Sequence, residues 1–335
     1  MADASAGYVV GVDLGGTRLR AALADRAGRI IRQNAVPTLA DQGRDAVVGR
    51  IVDQIRSVLS PLPPSALACA AVAVPGPCDP GLGMVYDPPN LPGWGEVALQ
   101  RVLEEALAAP VRLGNDANVA ALAEHEYGSG KGSESLIYMT VSTGIGGGVI
   151  DGNRLILGAW GGAAEIGHIT IDLNGPRCGC GNHGCLEAMA SGTAIGRESA
   201  RRLAAGAEST LRAHLGADTQ QLKAEYVFSA AQDGDQLARD VVEWAAYNLG
   251  VGLANVMHLF DPRLIIIGGG VSNAWEMLCP AMQRAIHERA MPAYANRTRV
   301  VRSQLGDEVG LLGAVTLANR SATSTVPPTD TVGTS

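Results

Sequence analysis

The chain has 335 residues, enough for two domains or one two-lobed unit. Its 47% hydrophobic and 18% charged content is the balance of an ordinary globular enzyme. A net charge of −7 disfavours nucleic acid or an anionic membrane as the main partner, and no apolar run approaches bilayer-spanning length. Three of the six cysteines share one short stretch and form no regular disulfide framework, which fits a reducing, cytoplasmic setting.

Residues 8–13 (YVVGVD) read as a buried strand ending in an acid, with Gly15-Gly16-Thr17 immediately after. Residues 18–24 and 29–36 continue as strands about a turn at 25–28. The spacing of Val47, Ile51, Ile55, Val58 and Leu59 predicts a helix over 45–59, stopped before Pro61. A strand over 67–74 ends in Pro75-Gly76-Pro77, and a helix over 96–108 and a strand over 111–114 follow. Asn115-Asp116 then precedes a helix over 117–127. A strand over 135–141 runs into Ser142-Thr143-Gly144-Ile145-Gly146-Gly147-Gly148 and resumes from Val149. The unit strand, Gly turn, strand thus occurs twice, which predicts two halves of related architecture.

Helices over 193–204, within 220–231 and over 236–259 come next. A strand over 264–267 enters Gly268-Gly269-Gly270, and a helix over 275–289, a strand over 299–302 and a closing helix over 310–318 complete the pattern. Residues 321–335, rich in Ser, Thr and Pro, read as a disordered tail. The expected division is an N-terminal lobe over 1–115, completed by the closing segment 304–320, and a C-terminal lobe over 116–303.

The most chemically loaded stretch is 165–187, EIGHITIDLNGPRCGCGNHGCLE. It carries Cys178, Cys180 and Cys185, with His168 ten positions upstream of the first. Thiolates and an imidazole at such spacing suit tetrahedral Zn²⁺, whereas a redox pair, a disulfide or unrelated core thiols would leave the full Cys₃His set unexplained. Four protein ligands close the coordination sphere, so the metal would shape the loop and not activate water.

Three Gly-rich turns follow strands, at 15–16, 144–148 and 268–270. Exposed backbone N–H groups at strand ends cradle phosphates, and three such turns in an α/β chain favour a nucleoside triphosphate over three plain turns. The chain has no G-x-x-x-x-G-K-[ST], and Val149 stands where G-x-G-x-x-G requires its last glycine, so P-loop and dinucleotide-binding readings lose support. Asp13 either orders Mg²⁺ or its waters, or caps the adjacent turn. Asp116 is either a helix N-cap or a base that accepts a hydroxyl proton during phosphoryl transfer, and the residues alone leave both open.

Taken together and in order, Asp13-Leu-Gly-Gly-Thr17, Gly114-Asn-Asp-Ala-Asn118, Ser142-Thr-Gly-Ile-Gly-Gly-Gly148, Glu165-Ile-Gly-His168 and Cys178-x-Cys-Gly-x-x-Gly-Cys-Leu-Glu187 resemble the ROK family of sugar kinases and sugar-responsive repressors. The resemblance spans about residues 8–319. It implies an α/β fold of two ribonuclease-H-like lobes, as in actin-like ATPases, closing around an interdomain cleft where ATP and sugar meet. It implies Asp116 as catalytic base and Asn90, Asn115, Glu165, His168 and Glu187 as holders of sugar hydroxyls.

On the same resemblance, Asp13, Gly15, Gly16, Thr17, Thr143, Gly144 and Gly146 serve the ATP phosphates and Mg²⁺, and Gly268, Gly269 and Gly270 lie near the adenosine. His168, Cys178, Cys180 and Cys185 hold a structural Zn²⁺. Family repressors carry a DNA-binding segment ahead of the first motif, and only twelve residues precede Asp13 here, so a kinase without nucleic-acid partner is expected. Asn90-Leu-Pro-Gly-Trp94 after Pro75-Gly-Pro77 is similar to the family's glucokinases, which puts glucose ahead of N-acetylmannosamine, N-acetylglucosamine and fructose. The family implies a homodimer or homotetramer.

Overall fold

The computed structural model describes residues 7–215 and 222–323. The described residues divide into two compact units, one of 7–127, 155–163 and 307–323, the other drawn from 128–154 and 164–306. The predicted tail falls almost wholly outside the described residues. Its first three residues belong to the closing helix, which runs Val309–Thr323.

The first unit is built on a five-stranded sheet of β1 (Tyr8–Leu14), β2 (Arg18–Ala24), β3 (Ile30–Pro37), β4 (Leu67–Val74) and β8 (Val111–Asn115), in the order β3-β2-β1-β4-β8. β1, β2 and β3 pair antiparallel as consecutive hairpins, while β1, β4 and β8 are parallel. Side chains alternate along β1. Val10, Val12 and Leu14 join a core with Val47, Ile51, Ile55 and Val58 of the helix Arg44–Leu59, and Val9 faces Leu311 and Val315 of the closing helix. Gly11 sits under that helix, where a Cβ would lie 2.6 Å from the Val315 nitrogen, so only glycine admits the close approach.

A small second sheet of β5 (Cys78–Asp79), β6 (Met84–Tyr86) and β7 (Glu96–Val97) lies between β4 and the helix Leu99–Leu107 in sequence. The expected helix over 96–108 therefore starts late, because Glu96 and Val97 pair with Tyr86 and Val85. The helix Asp116–Glu126, expected to open the second lobe, belongs to this first unit. It packs against the closing helix, and Val119 forms a cluster with Ala73 of β4 and Ala314.

The second unit repeats the plan with β9 (Leu136–Val141), β10 (Ile145–Asp151), β11 (Arg154–Leu155), β12 (Leu264–Gly268) and β13 (Arg299–Arg302), ordered β11-β10-β9-β12-β13. β9 and β10 form an antiparallel hairpin, and β9, β12 and β13 are parallel. Both sheets thus join an antiparallel hairpin to two parallel strands in equivalent places, the ribonuclease-H-like arrangement of actin-like ATPases. Val241, Ala245, Leu249, Leu253 and Val256 of the helix Gln236–Phe260 supply the long apolar stripe of this unit's core. Gly250 lets that helix approach Trp275–Arg289, where a Cβ would meet the Ala285 Cβ at 2.7 Å. No helix among the described residues is long and apolar enough to cross a membrane.

Candidate active site and metal cluster

In the first unit the expected residues gather at the C-terminal ends of the parallel strands, where open α/β sheets place their ligands. The β1–β2 hairpin turns tightly, with the Gly15 N–H donating to the Arg18 carbonyl at 2.9 Å. Asn90 packs on this turn, since a Cβ at Gly16 would lie 2.8 Å from the Asn90 Cβ. Asp13 does not cap the turn. Its Oδ2 accepts from Arg20 Nη2 at 2.5 Å and Nε at 3.1 Å, and Arg20 also reaches Glu308 at 3.6 Å.

Thr38 was missed by sequence reasoning. It is fully buried, its Oγ1 donates to the Gly15 carbonyl at 2.6 Å, and its N–H donates to the Thr17 carbonyl at 2.9 Å. Nothing local distinguishes it from an ordinary threonine after a strand, because its partners lie more than twenty positions upstream.

The two readings of Asp116 separate here. The N-cap of Asp116–Glu126 is Asn115, whose Oδ1 accepts from the N–H groups of Ala117 at 3.0 Å and Asn118 at 3.3 Å. Asn115 Nδ2 is in turn tied to the Gly76 carbonyl at 3.1 Å, so the Pro-Gly-Pro turn fixes the cap. Asp116 follows as the first helical residue, exposed, with Oδ1 accepting from the Ala117 N–H at 2.8 Å. Its negative charge is felt nearby: burial first, then Asp116 and Asp79, push the Cys78 thiol up to about 12, so that thiol is inert.

In the second unit the β9–β10 turn is shorter than expected. It comprises residues 142–144, closed by the Ser142 N–H donating to the Gly144 carbonyl at 2.8 Å. Ile145 already begins β10, so Gly146, Gly147 and Gly148 are strand residues paired with Thr140, Met139 and Tyr138. Gly146 therefore lies in the strand and not in the turn. The glycine at 147 answers a different need, since a Cβ there would meet Ile166 Cδ1 at 2.6 Å and the Ala164 carbonyl oxygen at 2.7 Å. The run admits the loop that carries Glu165 and His168. Ala164 enters that loop at φ 68°, a conformation disfavoured for any residue with a Cβ.

Gly269 and Gly270 lie beside the 142–144 turn, because β12 pairs with β9, and Gly268 ends β12 against Tyr138. Next to both turns is a cavity of about 560 Å³ whose lining includes Thr143, Thr193, Lys223, Phe228, Gly270 and Val271. Its walls combine apolar and polar groups, the mixture usual for a small-molecule site. Apart from Thr143 and Gly270, sequence reasoning did not find these lining residues. They come from three helical segments, with Lys223 at the N-cap of the helix that carries Phe228, and join only in the fold.

The sulfurs of Cys178, Cys180 and Cys185 and a ring nitrogen of His168 all lie within 4.8 Å of one another. His168 Nδ1 is 3.6 Å from Cys178 Sγ, and Cys180 Sγ is 3.7 Å from Cys185 Sγ. Tetrahedral ligands at the usual Zn–S length stand roughly 3.8 Å apart, so these separations fit one small cation. Burial pushes the Cys185 thiol up to about 12 and raises Cys178 as well, while the Asn182 N–H lowers the exposed Cys180. Buried thiolates are thus stable only beside a positive charge, which a metal supplies. Glu187 borders the cluster, with Oε1 3.8 Å from Cys178 Sγ and Oε2 accepting from the Ile145 N–H at 2.9 Å.

The ROK family model matches residues 9–321. The chain belongs to the ROK family. This ROK protein is 35% identical over 309 residues to a glucokinase of Thermotoga maritima, with 92% of this chain and 96% of that protein aligned. Among solved structures, a ROK family glucokinase from Streptomyces griseus, in complex with glucose and AMPPNP, superposes with a TM-score of 0.77 at 33% identity. That match covers 94% of this chain and all of the other. A ROK family transcriptional regulator, a homologue of the E. coli MLC protein, superposes at 0.83 with 28% identity, covering 95% of this chain and 78% of the regulator.

Proposed function

We propose that this ROK protein is an ATP-dependent glucose kinase that transfers the γ-phosphate to the sugar 6-hydroxyl. The observation that carries the reading is the division of labour at the end of β8. Asn115 performs the helix cap, and Asp116 stands exposed beside it as a carboxylate able to accept a proton. The near-full-length similarity to glucokinases selects glucose among the family's sugars.

In this reading Asp116 takes the hydroxyl proton as the sugar oxygen attacks phosphorus, and the backbone N–H groups of the 15–17 and 142–144 turns hold the phosphate oxygens. Gly146, within β10, contributes by keeping the adjoining strand free of a side chain. Gly268, Gly269 and Gly270 border the cavity side assigned to adenosine. Arg20 takes Oδ2 of Asp13, so the water shell of Mg²⁺ is assigned to Oδ1. Mg²⁺ would offset charge on the phosphates.

Sugar hydroxyls are assigned to Asn90, Asn115, Glu165, His168 and Glu187. His168 faces the metal cluster with Nδ1, which leaves Nε2 for a hydroxyl. The donor set of His168, Cys178, Cys180 and Cys185 fits Zn²⁺ as a structural cross-link. Thiolate ligands and ATP both go with a cytoplasmic location, and a homodimer or homotetramer is the assembly that light scattering would check.

A coupled assay of ADP release over a hexose and N-acetylhexosamine panel tests the proposal. Glucose should give the highest kcat/KM, and no turnover on any sugar would overturn it. Similarity to the transcriptional regulator favours a second reading, a sugar sensor without catalysis. Its signature is thermal stabilisation by glucose with no consumption of ATP.

A further inference from the structure

The segment that leaves the metal cluster does more than border it. Cys185 is followed by Leu186, fully buried in the core against the helix Gln236–Phe260, and then by Glu187. From there the chain turns back along the 142–145 hairpin and holds it at successive positions. Glu187 Oε2 accepts from the Ile145 N–H at 2.9 Å, and the Gly192 N–H donates to the Ser142 carbonyl at 2.7 Å. Thr193 Oγ1 donates to the Thr143 carbonyl at 2.8 Å. Gly144 presses against the same carboxylate, where a Cβ would lie 2.5 Å from Glu187 Oε2.

The Ile145 amide is buried at the first residue of β10, and its hydrogen bond goes to a side chain and not to the facing strand. Removing that acceptor would strand a buried donor at the hinge of the turn. The other oxygen of the same carboxylate faces Cys178 at 3.8 Å. One side chain thus spans from the metal ligands to the backbone of the nucleotide turn.

We propose that Glu187 is a positioning residue for the nucleotide, setting the conformation of the 142–144 turn and linking it to the metal cluster, in addition to any contact it makes with sugar. This rests on the assignment of that turn to ATP phosphates. It distinguishes itself from a sugar-only role by a measurement made with no sugar present. The geometry also makes the metal a support of nucleotide binding, since Cys185 anchors the start of the segment that carries Glu187 and Cys178 faces its carboxylate.

The experiment measures MgADP binding to the sugar-free, metal-loaded full-length protein by calorimetry, together with hydrogen exchange at the Ile145 amide. Binding by the wild type establishes the nucleotide assignment itself, so failure there falls on the proposed function and not on Glu187. Glu187→Ala should weaken MgADP about tenfold and speed Ile145 exchange, the consequence of an orphaned buried donor. Glu187→Gln, which keeps an oxygen able to accept from Ile145, should stay within about threefold of wild type for MgADP and retain the slow exchange. Metal analysis of each variant accompanies the titration, and stripping the wild type with a chelator should weaken MgADP in the same direction. Wild-type MgADP affinity and Ile145 protection in metal-loaded Glu187→Ala would overturn the proposal, as would equal loss in the Gln and Ala variants.

Discussion

The two hairpin turns occupy equivalent places in two sheets of the same topology, yet they are braced by unlike chemistry. The turn between β1 and β2 is held by a neutral, buried hydroxyl, Thr38 on the Gly15 carbonyl, from a residue just beyond β3. The turn between β9 and β10 is held by a carboxylate, Glu187 on the Ile145 N–H, from a segment that begins at the Cys/His cluster. A hydroxyl braces its turn through local packing alone, whereas the carboxylate makes the second turn depend on a distant loop. The duplicated topology therefore sets where the turns are, and the bracing sets what each one responds to.

The sharpest way to separate the two halves is to replace Asp116, the proposed base. Asp116→Asn should lower kcat by about 10²–10⁴-fold while leaving the glucose dissociation constant within about threefold, because an amide still hydrogen-bonds but cannot take the proton. Steady-state kinetics paired with calorimetry checks this, and a variant retaining most of its turnover would remove Asp116 from the chemistry.

A second test addresses the metal side. Cys180 is exposed, so Cys180→Ala loses little packing, and in a chain without metal it would change stability by about 0.5 kcal/mol or less. With zinc held as proposed, the variant should lose bound zinc by elemental analysis, bind glucose more weakly, and melt about 4 °C or more lower. Unchanged melting with no zinc in the wild type would dissolve the contrast between the turns.

The smallest expected effect tests the neutral brace. Thr38→Val deletes a buried hydrogen bond at nearly constant volume and should cost about 1–2 kcal/mol in stability. It should raise the KM for ATP severalfold, whatever the metal content. Thr38→Ser keeps the hydroxyl and should restore most of both, so an equal loss in the two variants would reduce Thr38 to plain packing.

The course of β1, β2, β4 and β12 was legible in the sequence because each is a short run ended by Gly, Pro or an acid, a signal that local sterics write directly, and β9 by its apolar run into Ser142-Thr143-Gly144. The convergence of His168, Cys178, Cys180 and Cys185 was legible for a similar reason, since side chains close in sequence need only loop geometry to meet. Gly146, Gly147 and Gly148 misled because glycine most often marks a turn, while here Gly147 serves the approach of Ala164 and Ile166 from a loop seventeen or more positions away. The pair at 115–116 was ambiguous for a sharper reason. Asn and Asp both cap helices well, and here the Asn115 Oδ1 accepts from the Ala117 and Asn118 N–H groups while its Nδ2 is held by the Gly76 carbonyl, thirty-nine positions upstream and out of reach of any local signal. Thr38, Thr193 and Phe228 carried no local signal, because their partners are brought to them by the fold.

Transfer of phosphate from ATP to glucose is tested most directly by ³¹P NMR of the protein with ATP, Mg²⁺ and glucose. ADP and glucose 6-phosphate should appear in matched amounts, and both should be abolished in Asp116→Asn. Release of inorganic phosphate alone, or glucose binding with ATP left intact, would contradict it.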